Sequence, residues 1–167
     1  GIKIPDVSIA YNDGNETTSV LSGSDGVSMA SITSGSDVTI SGSFDYDTAT
    51  KSINSIDALD ALRLSVGMDT QSGTNTAFDY IAADFNQDGK VSSQDALALL
   101  KYAVGLPTTE QAEWVFVDTN GDYSDISRTN TNYDEGINIA NLTSATELSL
   151  TGILIGDVND SYSGLIA

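Results

Sequence analysis

Neither cysteine nor histidine occurs among the 167 residues of the chain. Disulfides and thiolate metal sites are therefore excluded, and so are the usual zinc ligand and the commonest general base. No apolar run approaches the roughly 18 residues that a membrane-spanning helix requires. Any bound metal would thus be a hard cation that is coordinated by oxygen atoms alone.

Basic residues are also scarce, with 6 Lys and Arg against 24 Asp and Glu and a net charge of −18. This charge repels nucleic-acid phosphates and anionic membrane surfaces, so we expect neither a nucleic-acid partner nor membrane insertion. It also makes the folded chain repel itself unless cations neutralise part of it. Bound calcium or saline surroundings would both do so.

Alternating apolar and polar residues predict β-strands at both ends of the chain. In the first quarter the pattern occurs in "DVSIAY", "GVSMASI" and "DVTISGSF". It returns after residue 113 in "WVFVD", "GINIAN" and "TELSLTGILIGDV". Neither group alone looks large enough to bury both faces of a sheet, so we expect the two groups to pair.

Between residues 53 and 105 the alternating pattern gives way to apolar residues that recur at helical spacing. Two helices are predicted, each ending at a glycine, Gly67 or Gly105. A further short helical turn is expected at residues 108–114, capped by Thr109. The apolar helical positions are Leu59, Leu62 and Val66 in the first helix and Leu97, Leu100 and Val104 in the second.

Together these elements predict an α+β fold. The strands at the two ends would form a β-sandwich, and the helical segment would be inserted between them. The corresponding domains are N-terminal strands at 1–44, the helical segment at 45–106 and C-terminal strands at 107–167. The alternative is three loosely joined pieces.

The helical segment contains an internal duplication. "SIDALDALRLSVG" at residues 55–67 aligns without gaps on "SQDALALLKYAVG" at residues 93–105, a spacing of 38 residues. Two unrelated amphipathic helices would share the leucines, but they need not share the Ser-x-Asp start and the Val-Gly end. We therefore interpret the segment as two copies of one loop-helix unit.

The second copy begins with "DFNQDGKVSSQD", residues 84–95, which has the spacing of an EF-hand calcium loop. Gly89 at position 6 permits the sharp turn that such a loop requires. The competing interpretation is a simple Asp-Gly turn. The expected ligands are side-chain oxygens at positions 1, 3, 5, 9 and 12 and a carbonyl at position 7, namely Asp84, Asn86, Asp88, Ser92, Asp95 and Lys90.

The loop of the first copy is less regular. Its candidate ligands are Asp45, Asp47 and the closing Asp57, but the loop from Asp45 to Asp57 has thirteen positions instead of twelve. Thr50 or Lys51 falls where the glycine belongs. The sequence therefore predicts a distorted calcium loop, with a metal-free first copy as the alternative.

Two further polar clusters occur in the C-terminal part of the chain, and neither is followed by a helix of the right phase. Both are either calcium sites made from loops or hairpin turns. The residues of the first cluster are candidate metal ligands. The residues are Asp118, Asn120 and Asp122 in "DTNGD", and Asp157, Asn159 and Asp160 in "GDVND".

The segment "DFNQDGKVSSQDALALLKYAVG" resembles a type I dockerin repeat, and the duplicated layout is similar to the paired repeats of that family. The resemblance covers residues 45–106. It implies an extracellular, non-catalytic, calcium-folded module that binds a cohesin domain. The flanking segments resemble the β-rich surroundings of such repeats in large bacterial secreted or surface proteins, including adhesins.

The resemblance also implies a partner-binding surface on the two helices. In dockerins, the two residues before the closing aspartate and basic residues later in the helix contribute to recognition. The partner is then a cohesin-like domain, or the repeats brace neighbouring modules of the same chain. Exposure of Ile56, Leu64 and Tyr102 would favour docking, and burial would favour bracing. The matching positions are Ser55, Ile56, Arg63, Ser93, Gln94 and Lys101.

Two other functions compete with this interpretation. Catalysis without histidine or cysteine would need a carboxylate pair or a Ser-Lys dyad. The glutamates are scattered and the aspartates have calcium-like spacing, so we expect no enzymatic activity. A carbohydrate-binding β-sandwich would use Trp114 and the seven tyrosines as stacking faces. Trp114 in "EWVFV" is more typical of a packed strand residue.

Overall fold

The computed structural model describes residues 3–162 of the chain. The described strands are β1 (Ser8–Asn12), β2 (Thr17–Leu21), β3 (Ser36–Ser43), β4 (Trp114–Asp118), β5 (Ile137–Leu142) and β6 (Leu150–Leu154). The described helices are α1 (Ser55–Ser65), α2 (Ala77–Ala83) and α3 (Ser93–Ala103), with a 3-10 helix at Thr48–Thr50.

The chain divides into two compact units, and each unit is built from three separate stretches of sequence. Of the described residues, the first unit contains 3–45, 115–121 and 134–152. The second contains 46–114, 122–133 and 153–162. The domain boundaries that the sequence predicts, at residues 45 and 107, stay a prediction.

The first unit contains a four-stranded antiparallel sheet in the order β2-β1-β3-β5. Strand β3 lies at its centre, and its alternate residues Val38 and Ile40 are buried together with Ile137 of β5. Strands β4 and β6 form a separate two-stranded sheet. The α+β class is therefore confirmed, and the predicted β-sandwich is not confirmed by these two sheets.

The second unit contains the three helices, and a capping box starts each of them. In α1 the side chain of Asn54 caps the helix and Asp57 bonds back to the Asn54 amide. Ser92 and Asp95 do the same for α3. Each capping box satisfies backbone N–H groups that have no partner within the helix.

The two predicted helices are confirmed, and both are followed by a glycine with positive φ. Gly67 has φ 78° and Gly105 has φ 72°, a conformation that ends helices at low cost only for glycine. The buried side chains of the second unit include Leu64, Ile81 and Leu99, at most 1% exposed. Helices α1 and α3 pack directly against each other.

Three local features differ from the sequence prediction. "GVSMASI" forms no strand. Residues 108–113 form no helical turn, and the Glu110 carboxylate instead accepts the Thr109 N–H at 3.1 Å. The seven-residue helix α2 was not predicted, since it is shorter than the window in which helical periodicity is measured.

Candidate metal centre

The 84–95 loop connects the end of α2 to the start of α3. Asp84 is the C-cap residue of α2, and Asp95 lies in the first turn of α3. Their exposed fractions are 5% and 0%. Phe85 and Val91, each 2% exposed, anchor the two arms of the loop in the core of the second unit. The sequence thus places two buried carboxylates at the ends of a polar turn.

The Asp84 carboxylate binds the turn of the loop. Its Oδ1 accepts the Asp88 N–H at 3.1 Å and its Oδ2 accepts the Gly89 N–H at 2.9 Å. The buried Thr131 hydroxyl also donates to Asp84 Oδ2. Gly89 has φ 87°, so the reversal that presents these amides is favoured by glycine, as the sequence predicts.

The Asp95 carboxylate binds the rest of the loop. Its Oδ1 accepts the Asn86 N–H at 3.1 Å, and its Oδ2 accepts the Ser92 N–H at 2.8 Å and the Ser92 hydroxyl at 3.0 Å. The first and the last residue of the motif therefore hold the loop from both ends. A simple Asp-Gly turn would not need the second carboxylate.

The electrostatics of the loop favour a bound cation. Burial raises the pKa of Asp84, and the negative charge of Asp95 adds to this rise. The Thr131 hydroxyl and the Gly89 amide lower the pKa of Asp84 in part. Among residues 3–162, Lys90 is the one basic side chain that forms an ion pair with the loop; its Nζ lies 3.4 Å from Asp88 Oδ2 and the residue is exposed. Two buried like charges are costly unless a cation compensates them.

The donor set of the loop fits calcium. It offers carboxylate, amide and hydroxyl oxygens and the carbonyl of Lys90, and it has no nitrogen or sulfur ligand that would select zinc. Among residues 3–162, no three acidic, histidine or cysteine side chains form a ready-made metal cluster. The ligand assignments for Asp84, Asn86, Asp88, Lys90, Ser92 and Asp95 therefore stay predictions.

The closing aspartate of the first copy, Asp57, has different neighbours from those that the sequence suggests. It is fully buried in the first turn of α1. Its Oδ2 accepts the Asn54 N–H at 2.8 Å, and its Oδ1 accepts the Asn159 N–H at 3.2 Å. Burial raises the pKa of Asp57 to about 6, and the negative charge of Asp157 contributes to the rise. The "GDVND" cluster thus meets the start of α1.

The other candidate ligands of the first copy lie in a different local structure. Asp47 caps the 3-10 helix, where its Oδ1 accepts the Ala49 N–H at 2.8 Å. Asp45 belongs to the first unit. Neither residue takes part in the hydrogen bonds described for Asp57. The metal roles of Asp45, Asp47 and Asp57 in one contiguous loop stay a prediction.

The "DTNGD" cluster forms local turns. Asp118 Oδ1 accepts the Asn120 N–H at 2.9 Å, and Asp122 Oδ1 accepts the Ser124 N–H at 3.0 Å. The Ser124 amide lowers the pKa of Asp122. These are the Asx turns of the hairpin-turn alternative. A metal role for Asp118, Asn120 and Asp122 stays a prediction.

The apolar residues that reveal α1 and α3 in the sequence all face outward. Their exposed fractions lie between 44% and 65%. Each of these residues in α1 or at its end has a counterpart 38 residues later, which gives three equivalent pairs. The same apolar surface therefore occurs on both helices. We call this surface the apolar stripe; its residues are Leu59, Leu62, Val66, Leu97, Leu100 and Val104.

The predicted partner-binding residues lie at the ends of these helices. Ser55, Ser93 and Gln94 are exposed, and Arg63 and Lys101 are half-buried. Three residues distinguish docking from bracing by their exposure; of these, Ile56 is 48% exposed and Leu64 is fully buried. The third, Tyr102, is half-buried, with its ring 5.5 Å from that of Phe85. Of the three, only Ile56 presents an exposed apolar side chain.

Trp114, the candidate sugar platform, is half-buried at the start of β4. Its ring centroid lies 5.0 Å from that of Tyr162, at an interplanar angle of 84°. This edge-to-face packing is typical of a structural aromatic pair. Within residues 3–162, no helix is long and apolar enough to cross a membrane.

The family model of the type I dockerin domain matches residues 54–104 and also residues 82–126. Both matches include the 84–95 loop and α3, and the second extends to the "DTNGD" cluster. The comparisons with curated proteins and with solved structures each returned no match. The dockerin-like duplicated repeat that the sequence predicts is therefore confirmed, and residues 54–126 are the part of the chain that matches the type I dockerin domain.

Proposed function

We propose that the chain is a non-catalytic, extracellular calcium-binding module that docks a protein partner within a bacterial surface adhesin or another multi-domain secreted protein. The match to the type I dockerin domain supports a calcium-binding docking module. The observation that carries the proposal is the 84–95 loop, in which buried Asp84 and Asp95 hold an oxygen-rich turn between α2 and α3.

Calcium would compensate the two buried carboxylates and fix the loop against α3. It would accept oxygens from Asp84, Asn86, Asp88 and Asp95, a carbonyl from Lys90, and Ser92 directly or through water. A ligand that binds only the native state stabilises it by RT ln(1 + [Ca²⁺]/Kd), about 2.7 kcal/mol at a hundredfold excess over Kd. We propose that residues 45–106 form this repeat domain and that the strand segments flank it.

Calorimetric calcium titration of chelator-treated protein, together with thermal unfolding, tests the calcium role. Wild type should bind calcium and unfold at a higher temperature with it, and Asp84→Ala or Asp95→Ala should lose most of this stabilisation. The matched control is Asp125→Asn, which removes one exposed negative charge from the second unit outside the loop. An unchanged melting temperature of wild type in calcium would contradict the proposal.

The apolar stripe supports docking of a cohesin-like domain through α1 and α3. Exposed leucines repeated at equivalent positions on two helices are more than scattered surface hydrophobics. The predicted contacts Ser55, Ile56, Arg63, Ser93, Gln94 and Lys101 occur on the same two helices.

Surface plasmon resonance against type I cohesin domains tests the docking role. Leu59→Asp and Leu97→Asp should weaken binding, and the control Leu148→Asp should not, since Leu148 is similarly exposed, at 42%, but lies in the first unit. Absence of cohesin binding by the calcium-loaded wild type would favour the alternative, in which the repeats brace neighbouring modules of the same chain.

A further inference from the structure

Residues 157–162 and residues 52–57 meet at the start of α1, within the second unit. The first segment contains the "GDVND" cluster and the second contains the closing aspartate of the first copy. We call the two segments together the split loop.

The 157–162 segment repeats the local structure of the 84–89 turn. Asp157 Oδ1 accepts the Ser161 N–H at 3.0 Å, and Asp157 Oδ2 accepts the Tyr162 N–H at 2.8 Å. The amides four and five residues after Asp84 bind its two oxygens in the same way, at 3.1 and 2.9 Å. The two segments also have a left-handed residue at the same position, since Asp160 has φ 51° and Gln87, three positions after Asp84, has φ 53°.

The 52–57 segment supplies the closing half of the loop. Asp57 accepts the Asn159 N–H at 3.2 Å on one oxygen and the Asn54 N–H at 2.8 Å on the other. Asp95 accepts the equivalent amides of the 84–95 loop at 3.1 and 2.8 Å. Residues 157–162 therefore correspond to positions 1 to 6 of an EF-hand loop. Residues 52–57 correspond to positions 7 to 12.

One buried side-chain oxygen without a partner lies among the oxygen atoms of the split loop. Asn159 Oδ1, at position 3, is buried and has no hydrogen-bond partner among residues 3–162. The Ser161 hydroxyl, at position 5, is hydrogen-bonded to the Ser52 carbonyl oxygen at position 7 and to Asp157 Oδ1, each at 3.1 Å. Among the described residues, no Lys or Arg forms an ion pair with Asp57 or with Asp157. A bound cation would stabilise a buried oxygen without a partner that lies beside two carboxylates whose charge no basic side chain compensates.

The core holds the two halves of the split loop together. Gly156 precedes Asp157, and a Cβ at Gly156 would lie 2.9 Å from Ile53 Cδ1 and 3.1 Å from Leu99 Cδ2. The Gly156 N–H donates to the Ala82 carbonyl at 2.8 Å. This close packing places the first ligand position beside the segment that contains the last ones.

We propose that the split loop is a second calcium site, formed by segments about 100 residues apart in the sequence. The inference rests on the proposed function, because it extends the same loop chemistry to the first copy. The 157–162 segment takes the place that the sequence assigns to Asp45 and Asp47. The ligands are the side chains of Asp157, Asn159, Ser161 and Asp57, the carbonyl of Ser52, and Asn54 directly or through water.

The split loop should bind calcium more weakly than the 84–95 loop. It offers two carboxylates, Asp57 and Asp157, whereas the 84–95 loop offers Asp84, Asp88 and Asp95. Calcium affinity in EF-hand loops rises with the number of charged ligands.

Calorimetric calcium titration of the full chain distinguishes the two sites. Wild type should bind two calcium ions, Asp157→Asn should lose the weaker site, and Asp84→Asn should lose the tighter one. Asp160→Asn is the matched control, because it removes a neighbouring charge at a position that is not a ligand, and it should keep both. Circular dichroism confirms that each variant folds.

Asn159→Ala tests the split loop without changing its charge. It should weaken the weaker site at least about tenfold and leave the tighter site unchanged, since even residues behind the direct ligands are worth about ten- to a hundredfold in metal affinity. A calcium stoichiometry and affinities unaffected by both Asp157→Asn and Asn159→Ala would overturn the split loop and leave the proposed function intact. A wild type without any calcium binding would instead refute the proposed function itself.

Discussion

The Asp57 carboxylate accepts a hydrogen bond from the backbone N–H of Asn159 at 3.2 Å, although 102 positions separate the two residues in the sequence. This contact joins the first turn of α1 to the chain after β6. A cation bound there would close a loop of about 100 residues, and such long closures give a cross-link its largest entropic effect in the chain-entropy model.

Removal of calcium should therefore loosen the 157–162 segment before the rest of the second unit. Without a cation, the amides of Ser161 and Tyr162 are held by Asp157 alone, next to the like charge of Asp57. Hydrogen exchange followed by mass spectrometry should show faster exchange of this segment in chelator than in calcium. Equal exchange in both conditions would mean that no cation binds there.

The contribution of Asp57 to the stability of the calcium-free protein should fall as the pH rises between about 4 and about 6. The folded-state pKa of Asp57 is raised from 3.8 to about 6, so the folded state binds more protons than the unfolded state in this window. The contribution of Asp57 is thus most favourable at low pH and is lost as pH increases. With calcium bound the trend should reverse, because the metal needs the deprotonated ligand.

Urea unfolding of wild type and Asp57→Asn in calcium-free buffer measures this contribution, because other acids that titrate in the window cancel in the difference. The difference in unfolding free energy between the two proteins should change between pH 4 and pH 6.5. A constant difference would show that the burial of Asp57 does not control its protonation.

Gly156→Ala should destabilise the second unit more than Gly73→Ala does. Both glycines have positive φ, 103° and 114°, so both substitutions strain the backbone. A Cβ at position 73 meets nothing within 4 Å, whereas one at position 156 overlaps Ile53 and Phe85. Overpacking adds typically about 1–3 kcal/mol. Chemical unfolding gives both losses, and equal values would mean that the core near Gly156 adapts freely.

The 84–95 loop could be predicted from the sequence because its residues are consecutive, so their spacing alone indicates an EF-hand-like loop. The split loop could not be predicted in this way, because no helix follows "GDVND" in the sequence. The helix that completes it, α1, lies about 100 residues earlier. The sequence does show that Asp157 and Asn159 have the same Asp-x-Asn spacing as Asp84 and Asn86. Only the fold brings Asp57 to them.

Helical periodicity located α1 and α3 but did not give the direction of their apolar residues. Leu59, Leu62 and Val66 follow the expected spacing and are exposed, while Leu64, between them, is fully buried. A helix with apolar residues on two faces gives the same periodic signal for either face. The inward face of α1 is instead lined largely by small and capping residues such as Ala61 and Asp57.

Thr131→Val should weaken the 84–95 loop even without calcium. The Thr131 hydroxyl is buried and donates to Asp84, so its loss leaves a buried carboxylate with one donor fewer. The expected cost is about 1–3 kcal/mol of unfolding free energy, accompanied by a higher pKa of Asp84. The control Thr129→Val, at an exposed position, should change little. Equal unfolding free energies for the two variants would mean that the Asp84 carboxylate is solvated and does not depend on the Thr131 hydroxyl.

Leu62→Ala and Leu64→Ala separate the two apolar faces of α1. Leu64 is fully buried, so its truncation should cost about 2–5 kcal/mol of unfolding free energy, the usual range for a core leucine. Leu62 is 44% exposed, so the same change should cost much less and should instead reduce affinity for a cohesin-like partner. Urea unfolding and partner titration of both variants measure the two effects. A stability loss at Leu62 equal to that at Leu64 would mean that the apolar stripe is needed for folding, and would remove the argument that it serves docking.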